Sequence, residues 1–312
     1  MIAAAMQSGE VLDRGRGALL GLACGDAIGT SVEFKPRGTF TPTTDMVGGG
    51  PFGLRPGEWT DDTSMALCLA DSLLACRGFD AEDQMRRYLR WWRDGYRSAT
   101  GRCFDIGKTV SDALRRFERT GDPYSGSPDP STAGNGSLMR LAPVVLFAYP
   151  DEDLTFEWAG QSSRTTHATE EAVESCQLLA SVLVKALDGS SRETLRSHRP
   201  DSFTAPKVQA LAAGGYTARA ESEIRGSGYC IEALEAALWC FQRTDSFAAA
   251  VLAAVNLGDD ADTTAAIAGQ IAGAHYGYSG IPEEWLARLH GREEMIAIAD
   301  RLMAHSATKD GG

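Results

Sequence analysis

Apolar residues recur at helical spacing along most of the chain. Met65, Leu69 and Leu73 lie four residues apart, and a second run continues from Val173 through Cys176 to Leu179. This spacing places apolar side chains on one face of an α-helix, whereas a half-buried strand would show strict alternation. The same pattern predicts further helices over about 11–25, 81–94, 107–119, 137–147, 153–163, 229–243, 246–255, 262–275, 283–290 and 293–304. No segment predicts a convincing strand, so the pattern favours an all-α fold.

Three longer stretches interrupt the helical pattern. They cover residues 35–59, which are rich in Gly, Pro and Thr, and the more polar residues 120–136 and 189–228. Each stretch is flanked by helices of similar composition, and none has the character of a tether between modules. We therefore expect one domain over residues 1–312, with its core at about 11–304.

Composition and charge narrow the class of protein. Hydrophobic residues make up 43% and charged residues 23% of the 312 positions, as in ordinary globular proteins. The net charge of -12 argues against extended contact with nucleic acid, because such contact relies on Lys and Arg to neutralise phosphates. The seven scattered cysteines form no CxxC pair. The N-terminus lacks a basic region followed by a sustained apolar segment, and no apolar run is long enough for a membrane span. We expect a cytoplasmic monomer with reduced thiols and no membrane partner.

Two clusters of aspartates begin predicted helices about 200 residues apart. The first is Thr60-Asp61-Asp62-Thr63 and the second is Asp260-Ala261-Asp262-Thr263. A single carboxylate is enough to cap a helix, and capping alone remains the alternative interpretation of each cluster. Several carboxylates in one turn repel one another unless a cation neutralises them. Oxygen ligands without His or Cys suit Mg²⁺, Mn²⁺ or Ca²⁺ better than zinc.

The geometry of a helix suggests how these clusters would be used. Successive positions point about 100° apart, so Asp61 and Asp62 can address two different ions. The helix that follows the second cluster is rich in Ala and Gly, which allow close approach of neighbouring backbones. This composition predicts a central helix.

Seven motifs occur in order along nearly the whole chain. They are Gly25-Asp26-Ala27-Ile28-Gly29 with Glu33-Phe34, Trp59-Thr60-Asp61-Asp62-Thr63, Phe104-Asp105-Ile106-Gly107, Gly134-Asn135-Gly136-Ser137-Leu138-Met139-Arg140, Thr166-His167, Gly228-Tyr229, and Asn256-Leu257-Gly258-Asp259-Asp260-Ala261-Asp262-Thr263. In these motifs the chain resembles the ADP-ribosylglycohydrolase family, which includes the dinitrogenase reductase activating glycohydrolases and the ADP-ribosyl-acceptor hydrolases. The resemblance implies a compact orthogonal bundle of helices around two Mg²⁺ or Mn²⁺ ions, which cleaves the N- or O-glycosidic bond between ADP-ribose and an acceptor.

The same resemblance implies a set of metal ligands. By position in the family's pattern they are Thr60, Asp61, Asp62, Asp260, Asp262 and Thr263. Asp259 is not one of these ligands, because the family commonly has Gly-Gly or Gly-Asp before this element, and we expect Asp259 to support the site from behind the ligands.

Cleavage at the ribose C1″ atom also needs a carboxylate that handles the proton. The reaction passes through an oxocarbenium-like transition state, and bound metal ions can orient the sugar and a water molecule. Asp105 and Glu33 are the two candidates, since both lie among apolar residues where the pKa of a carboxyl can rise. Asp105 resembles the catalytic aspartate of the activating glycohydrolases, and Glu33 resembles a glutamate of the acceptor hydrolases. An ordinary helix cap or surface carboxylate is the alternative for each.

Further motif residues are candidates for binding the substrate. The Gly134–Ser137 loop offers backbone N–H groups to a diphosphate, although it can equally be a plain glycine-rich turn. By resemblance His167 lies near the substrate, and Tyr229 can stack on adenine or serve only in packing. The predicted binding residues are Gly134, Asn135, Gly136, Ser137, His167, Gly228 and Tyr229.

The acceptor and the type of reaction leave alternatives open. Resemblance around Asp105 favours arginine-linked ADP-ribose on protein, while serine-linked, other O-linked and small-molecule conjugates are alternatives. A two-metal phosphohydrolase and a non-catalytic ADP-ribose-binding relative are further alternatives. We expect residues 35–59 and 120–136 to form the walls of the acceptor pocket.

Overall fold

The helices of the chain pack on one another without a β-sheet in the part that the computed structural model describes, which is residues 2–196, 198 and 200–307. Extended segments pair there only at isolated points, such as Pro36 with Gly258. The helices are α1 (Ile2–Gly29), α2 (Asp61–Cys76), α3 (Ala81–Asp94), α4 (Lys108–Thr120), α5 (Ala142–Ala148), α6 (Glu152–Arg164), α7 (Glu170–Leu187), α8 (Pro206–Ala212), α9 (Cys230–Gln242), α10 (Phe247–Val255), α11 (Ala261–Tyr276), α12 (Glu283–Arg288) and α13 (Arg292–Ala307). The prediction of an all-α bundle is confirmed.

Helices α1 and α11 run antiparallel at the centre of the bundle, with almost no side chain between them. A Cβ atom on Gly21 would lie 2.2 Å from the carbonyl oxygen of Gly269, and one on Gly25 would lie 2.1 Å from that of Ala265. Gly21 and Gly25 are four residues apart and therefore share one face of α1. This glycine face lets the two backbones touch, and it confirms the prediction that α11 is a central helix.

The ends of three helices meet at one place because of this close contact. The last turn of α1 lies against the start of α11, where a Cβ atom on Gly29 would lie 2.4 Å from the Cα atom of Asp262. Helix α2 begins directly after Thr60, and α11 begins directly after Asp260. The two aspartate clusters therefore start helices that converge on the end of α1.

Some predicted boundaries are wrong. Residues 137–140 form turns rather than the start of a helix, and α5 begins only at Ala142, with Pro143 in its first turn. Proline fits that position because it has no N–H to donate and its φ is already helical. The stretch 189–228 contains α8, which likewise begins at a proline, Pro206. Helix α1 begins well before residue 11.

Two other expectations can be compared with the fold. All seven cysteines are free thiols. In the described part of the chain, no helix combines the length and the apolar character needed to cross a membrane.

Candidate metal centre and active site

Asp26, in the last turn of α1, connects α1 to the start of α2. Its carboxylate is fully buried, and its Oδ1 atom accepts hydrogen bonds from the backbone N–H and the hydroxyl of Thr60, both at 2.9 Å. Its Oδ2 atom accepts from the N–H and the hydroxyl of Thr63, at 3.0 and 2.6 Å. Asp26 thus satisfies, from a different helix, the N–H of the N-cap residue Thr60 and one free N–H in the first turn of α2. Asp26 lies within the first of the seven motifs but had no predicted role; an aspartate inside an otherwise apolar helix was the available signal.

The two aspartate clusters bond to each other across the site. The hydroxyl of Thr263 donates to Oδ1 of Asp62 at 3.2 Å, and the hydroxyl of Thr60 donates to Oδ2 of Asp262 at 3.3 Å. One carboxylate oxygen each from Asp26, Asp62 and Asp262 lies within 4.8 Å of the others. The structure therefore brings together residues that are about 200 positions apart in the sequence.

The buried carboxylates fit a cation. Oδ2 of Asp62, Oδ1 of Asp262 and Oε2 of Glu33 are buried and have no hydrogen-bond partner. Burial raises the pKa of both Asp62 and Asp262 well above the ordinary range, and the neighbouring carboxylates, Asp26 for Asp62 and Asp62 for Asp262, raise it further. In the described part of the chain no lysine or arginine forms an ion pair with them. Crowded, unpaired carboxylate oxygens are the ligands that hard divalent cations prefer.

Asp260 ties the Gly134–Ser137 loop to this cluster. It immediately precedes α11, and its Oδ2 atom accepts a hydrogen bond from the side-chain amide of Asn135 at 2.7 Å. The neighbouring Asp259 has an exposed side chain and a left-handed backbone with φ of 55°. Its carbonyl oxygen accepts from the N–H of Phe34 at 2.7 Å, so Asp259 holds the Glu33–Phe34 segment through its backbone.

An open cavity of about 710 Å³ lies over the cluster. Asp61, Asp262 and Thr263 are among its lining residues, while Thr60 and Asp62 are buried and do not line it. The full lining is Glu33, Phe34, Asp61, Asp105, Ile106, Gly107, Lys108, Thr109, Val110, Asn135, Gly136, Met139, His167, Ser227, Gly228, Asp259, Asp260, Asp262 and Thr263. The cavity therefore reaches both aspartate clusters and most of the candidate binding residues.

Glu33 and Asp105 come together beside Asp262. One carboxylate oxygen of each of these three residues lies within 4.8 Å of the other two. Burial, reinforced by the charge of Asp105, raises the pKa of Glu33 to about 9. Burial, reinforced by the charge of Asp26, raises the pKa of Asp105 to about 7. Carboxyl groups with pKa values near or above neutrality can give and take protons under physiological conditions.

His167 packs against the glycines of the Gly134–Ser137 loop. Its Nε2 atom would lie 3.2 Å from a Cβ atom on Gly134, and its Cε1 atom 2.9 Å from one on Gly136. The ring is 2% exposed and its Nδ1 atom pairs with the hydroxyl of Thr166 at 2.9 Å. Burial lowers the pKa of His167 to about 3, so the imidazole is neutral. A larger residue in place of Gly136 would displace the ring from the cavity wall.

Two candidate binding side chains point elsewhere. The hydroxyl of Ser137 accepts a hydrogen bond from Ser163 at 2.8 Å in the protein interior. The hydroxyl of Tyr229 bonds to Glu171 at 2.5 Å and to Lys207 at 2.7 Å. Neither residue lines the cavity, and neither does Gly134. Arg140 is fully buried and donates to the hydroxyl of Thr166 at 2.7 Å.

The walls of the cavity come from segments other than those we expected. Residues 105–110 and 227–228 contribute to the lining, whereas 35–59 do not, and 120–136 contribute only Asn135 and Gly136. The segment 35–59 reaches the edge of the cavity through Phe52, whose ring centroid lies 6.5 Å from that of the lining residue Phe34. The glycine-rich composition of 35–59 and 120–136 suggested the prediction, but which loops line the cavity depends on how distant segments of the chain pack together.

Fold and site together define a helical protein with a buried cluster of carboxylate oxygens that fits a metal ion. The family model described as ADP-ribosylglycohydrolase matches residues 7–311, and the chain belongs to this family. It is 46% identical to an ADP-ribosylarginine hydrolase, Tri1, of Serratia proteamaculans, over 96% of this chain and 82% of that protein. It is 32% identical to an ADP-ribosyl-[dinitrogen reductase] glycohydrolase of Rhodospirillum rubrum, over 93% of this chain and 94% of that protein. A solved structure titled ADP-ribosylglycohydrolase-related protein complex superposes with a TM-score of 0.86 at 47% identity, over 96% of this chain and 99% of that one.

Proposed function

We propose that this chain hydrolyses the glycosidic bond between ADP-ribose and an arginine side chain of a modified protein. The observation that carries the proposal is the cavity in which Glu33 and Asp105 stand beside the aspartate cluster at Asp262. A glycosidase needs a carboxylate that moves a proton next to a group that positions the sugar and the water. The similarity to an ADP-ribosylarginine hydrolase supports arginine as the acceptor.

Two Mg²⁺ or Mn²⁺ ions complete the proposed site. Thr60, Asp61, Asp62, Asp260, Asp262 and Thr263 would hold them, and the unpartnered oxygens of Asp62 and Asp262 support this assignment. Bound ions would supply Lewis acidity, orienting ribose hydroxyls and lowering the pKa of a water molecule. Asp26 keeps Thr60 and Thr63 in place, because both hydroxyls donate to its carboxylate.

The chain's own groups account for the proton. Hydrolysis breaks the bond between C1″ and the guanidino nitrogen and forms a bond between C1″ and the oxygen of water. One proton of that water must reach the leaving nitrogen, so that arginine departs as guanidinium and the ribose gains a hydroxyl. Glu33 and Asp105, which lie within one group of close carboxylate oxygens, can accept this proton and deliver it.

The rest of the cavity would bind the ADP portion. Asn135 is fixed by its hydrogen bond to Asp260, and Gly136 and Gly228 bring backbone to the cavity surface. The neutral ring of His167 offers Nε2 to a polar group without adding charge. These residues support the predicted binding role of this side of the cavity, and the predictions of a cytoplasmic location and a monomer stay predictions.

The test is product analysis on two substrates. We expect free ADP-ribose from an ADP-ribosyl-arginine peptide in the presence of Mg²⁺ or Mn²⁺, and loss of that release with a chelator. An ADP-ribosyl-serine peptide should be cleaved more slowly. Release of AMP or inorganic phosphate instead would contradict the glycosidase proposal, and activity indifferent to chelation would contradict the metal centre.

The metal ligands have their own test. Asp61→Asn and Asp260→Asn should abolish turnover while circular dichroism shows a folded, helical protein. A variant that keeps the wild-type rate would remove that residue from the centre.

A further inference from the structure

Three phenylalanine rings from separate segments form a connected row at the edge of the cavity. The centroids of Phe34 and Phe52 are 6.5 Å apart with the rings nearly perpendicular, and those of Phe52 and Phe104 are 5.0 Å apart. Phe34 lines the cavity and is 65% exposed. We call these three rings the phenylalanine row. A large apolar ring left in water beside a polar cavity is typical of a binding surface.

The backbone of Phe34 is held in an unusual conformation. Its φ is 62°, in the left-handed region that bulky residues rarely adopt. The segment is fixed there because the N–H of Phe34 donates to Asp259 and the N–H of Asp259 donates to Lys35, at 2.7 and 2.8 Å. Backbone strain of this kind persists where the surrounding structure requires it, commonly at ligand sites.

Phe52 is also held in a defined position. It lies in a tight hairpin in which Gly49 and Leu54 exchange backbone hydrogen bonds of 2.7 and 3.0 Å. The hairpin packs on the segment before Glu33 so closely that a Cβ atom on Gly50 would lie 1.9 Å from the carbonyl oxygen of Thr30. The phenylalanine row is therefore built on fixed backbone.

The faces of these rings are available to a cation. In the described part of the chain, the arginines and lysines that lie over aromatic rings do so over tyrosines and tryptophans, as Arg140 does over Tyr88. None lies over the phenylalanine row. Acidic side chains predominate in the cavity beside the row, where Glu33, Asp61 and Asp105 line it together with Lys108, whose ammonium group pairs with Asp112. An aromatic face next to carboxylates favours a planar cation such as guanidinium.

The position of the row points to the acceptor end of the substrate. Phe34 directly follows Glu33, and Phe104 directly precedes Asp105. The leaving group must lie next to the carboxylate that delivers its proton. The row therefore borders the leaving group.

We infer that the phenylalanine row is a guanidinium subsite, in which the ring of Phe34 stacks on the acceptor arginine. The inference rests on the proposed function. The guanidinium is charged both before and during bond cleavage, so its contact with the ring stabilises bound substrate and transition state equally. Loss of such a contact raises KM and leaves kcat nearly unchanged.

The experiment compares two substitutions at Phe34 with one elsewhere. Phe34→Leu keeps an apolar side chain and the same backbone demand but removes the aromatic face, whereas Phe34→Tyr keeps that face. We expect Phe34→Leu to raise KM for an ADP-ribosyl-arginine peptide by about 3- to 30-fold, and Phe34→Tyr to restore most of the affinity. Tyr124→Leu, which changes a 44% exposed ring outside the cavity, should leave KM unchanged.

A second measurement separates the acceptor from the nucleotide. Isothermal titration with ADP-ribose, the product without a guanidinium, should give the same dissociation constant for wild type and Phe34→Leu. An equal KM for wild type and Phe34→Leu would overturn the inference. So would a matching loss of ADP-ribose affinity, because the ring would then serve the nucleotide. A wild-type protein inactive on the arginine peptide would instead overturn the proposed function, and the subsite with it.

Discussion

Asp26 shows how one buried carboxylate can organise a site without facing the substrate. It accepts four hydrogen bonds from Thr60 and Thr63, whereas Asp62 and Asp262 each keep a buried oxygen with no partner. Burying a carboxylate is costly unless hydrogen bonds or a cation compensate. Hydrogen-bond donors of the protein offset the cost of burying Asp26, whereas the buried carboxylates of Asp62 and Asp262 are suited to a metal ion.

Glu33 and Asp105 can be separated by substitution and by binding. Glu33→Gln and Asp105→Asn keep size and polarity but remove the capacity to move a proton. We expect the variant of the proton-transferring residue to lose about 10²- to 10⁴-fold in kcat while it still binds ADP-ribose and Mn²⁺. Rapid-quench kinetics gives kcat and calorimetry gives both affinities. If both variants turn over at the wild-type rate, the proton moves through neither residue.

His167 should make the fold sensitive to acid. Burial lowers its pKa to about 3, while an unfolded chain titrates histidine near 6.5. Between about pH 6.5 and pH 3 the unfolded state therefore binds more protons, so this contribution to stability is complete above the unfolded pKa and is lost as the pH falls. The buried carboxyl groups with raised pKa values act in the opposite direction, so the prediction concerns the difference between two proteins. We expect the urea midpoint of His167→Gln to rise relative to that of wild type as the pH falls from about 7 to about 4.5.

The test is the pH dependence of the urea midpoint, measured side by side for wild type and His167→Gln. Equal slopes for wild type and His167→Gln would mean that His167 does not cause the acid sensitivity.

At the scale of the element, the contact between α1 and α11 places the site. Helix α1 ends with site residues and α11 begins with them. The glycine face fixes the position of one helix relative to the other because the backbones themselves touch. Side chains can change rotamer to accommodate a small displacement between helices, but backbone atoms in direct contact cannot. The separation between Asp26 at the end of α1 and Asp262 at the start of α11 therefore depends on the glycines in between.

Substitution of one glycine on the glycine face of α1 tests this dependence. In Gly21→Ala the new methyl group would lie 2.2 Å from the oxygen of Gly269, so the helices must move apart. We expect a loss of at least about 2 kcal/mol in the free energy of unfolding, with weaker Mn²⁺ binding. Gly9→Ala is the matched control, because the same change in the same helix meets nothing within 4 Å. It should raise stability by about 0.5–1 kcal/mol, since alanine favours helix.

At the scale of the whole molecule, the sequence predicted the helices and the two clusters far better than the shape of the cavity. Periodicity marks buried helix faces directly, and the Asp and Thr spacing marked both halves of the centre. Nothing in the neighbouring sequence showed that Asp26 would belong to the site, because its hydrogen-bond partners Thr60 and Thr63 lie 34 and 37 positions away. The outward ring of Phe34 and the inward hydroxyl of Ser137 depend on a left-handed φ and on packing between distant segments. Neither has a signature in the surrounding sequence.

The metal centre should also control the stability of the whole chain, because its ligands join the first quarter of the sequence to the last. A metal ion bound only to the folded state adds about 2.7 kcal/mol at a concentration 100 times its dissociation constant. Without metal, the buried carboxylates repel one another. We therefore expect Asp62→Asn to melt at a higher temperature than wild type in chelator, because one charge is gone and Oδ1 can still accept from Thr263. With Mn²⁺ the order should reverse, since the variant lacks a ligand.

Asp153→Asn supplies the comparison for net charge alone. It removes one carboxylate from the exposed first turn of α6, and it should shift the melting temperature equally with chelator and with Mn²⁺. Differential scanning calorimetry of wild type, Asp62→Asn and Asp153→Asn, with chelator and with Mn²⁺, measures these melting temperatures. Suppose that Asp62→Asn melts below wild type in chelator and that Mn²⁺ raises the melting temperature of both proteins equally. Asp62 would then stabilise the start of the helix and would not be a metal ligand. The repulsion that a cation would relieve must in that case lie among the remaining carboxylates of the cluster.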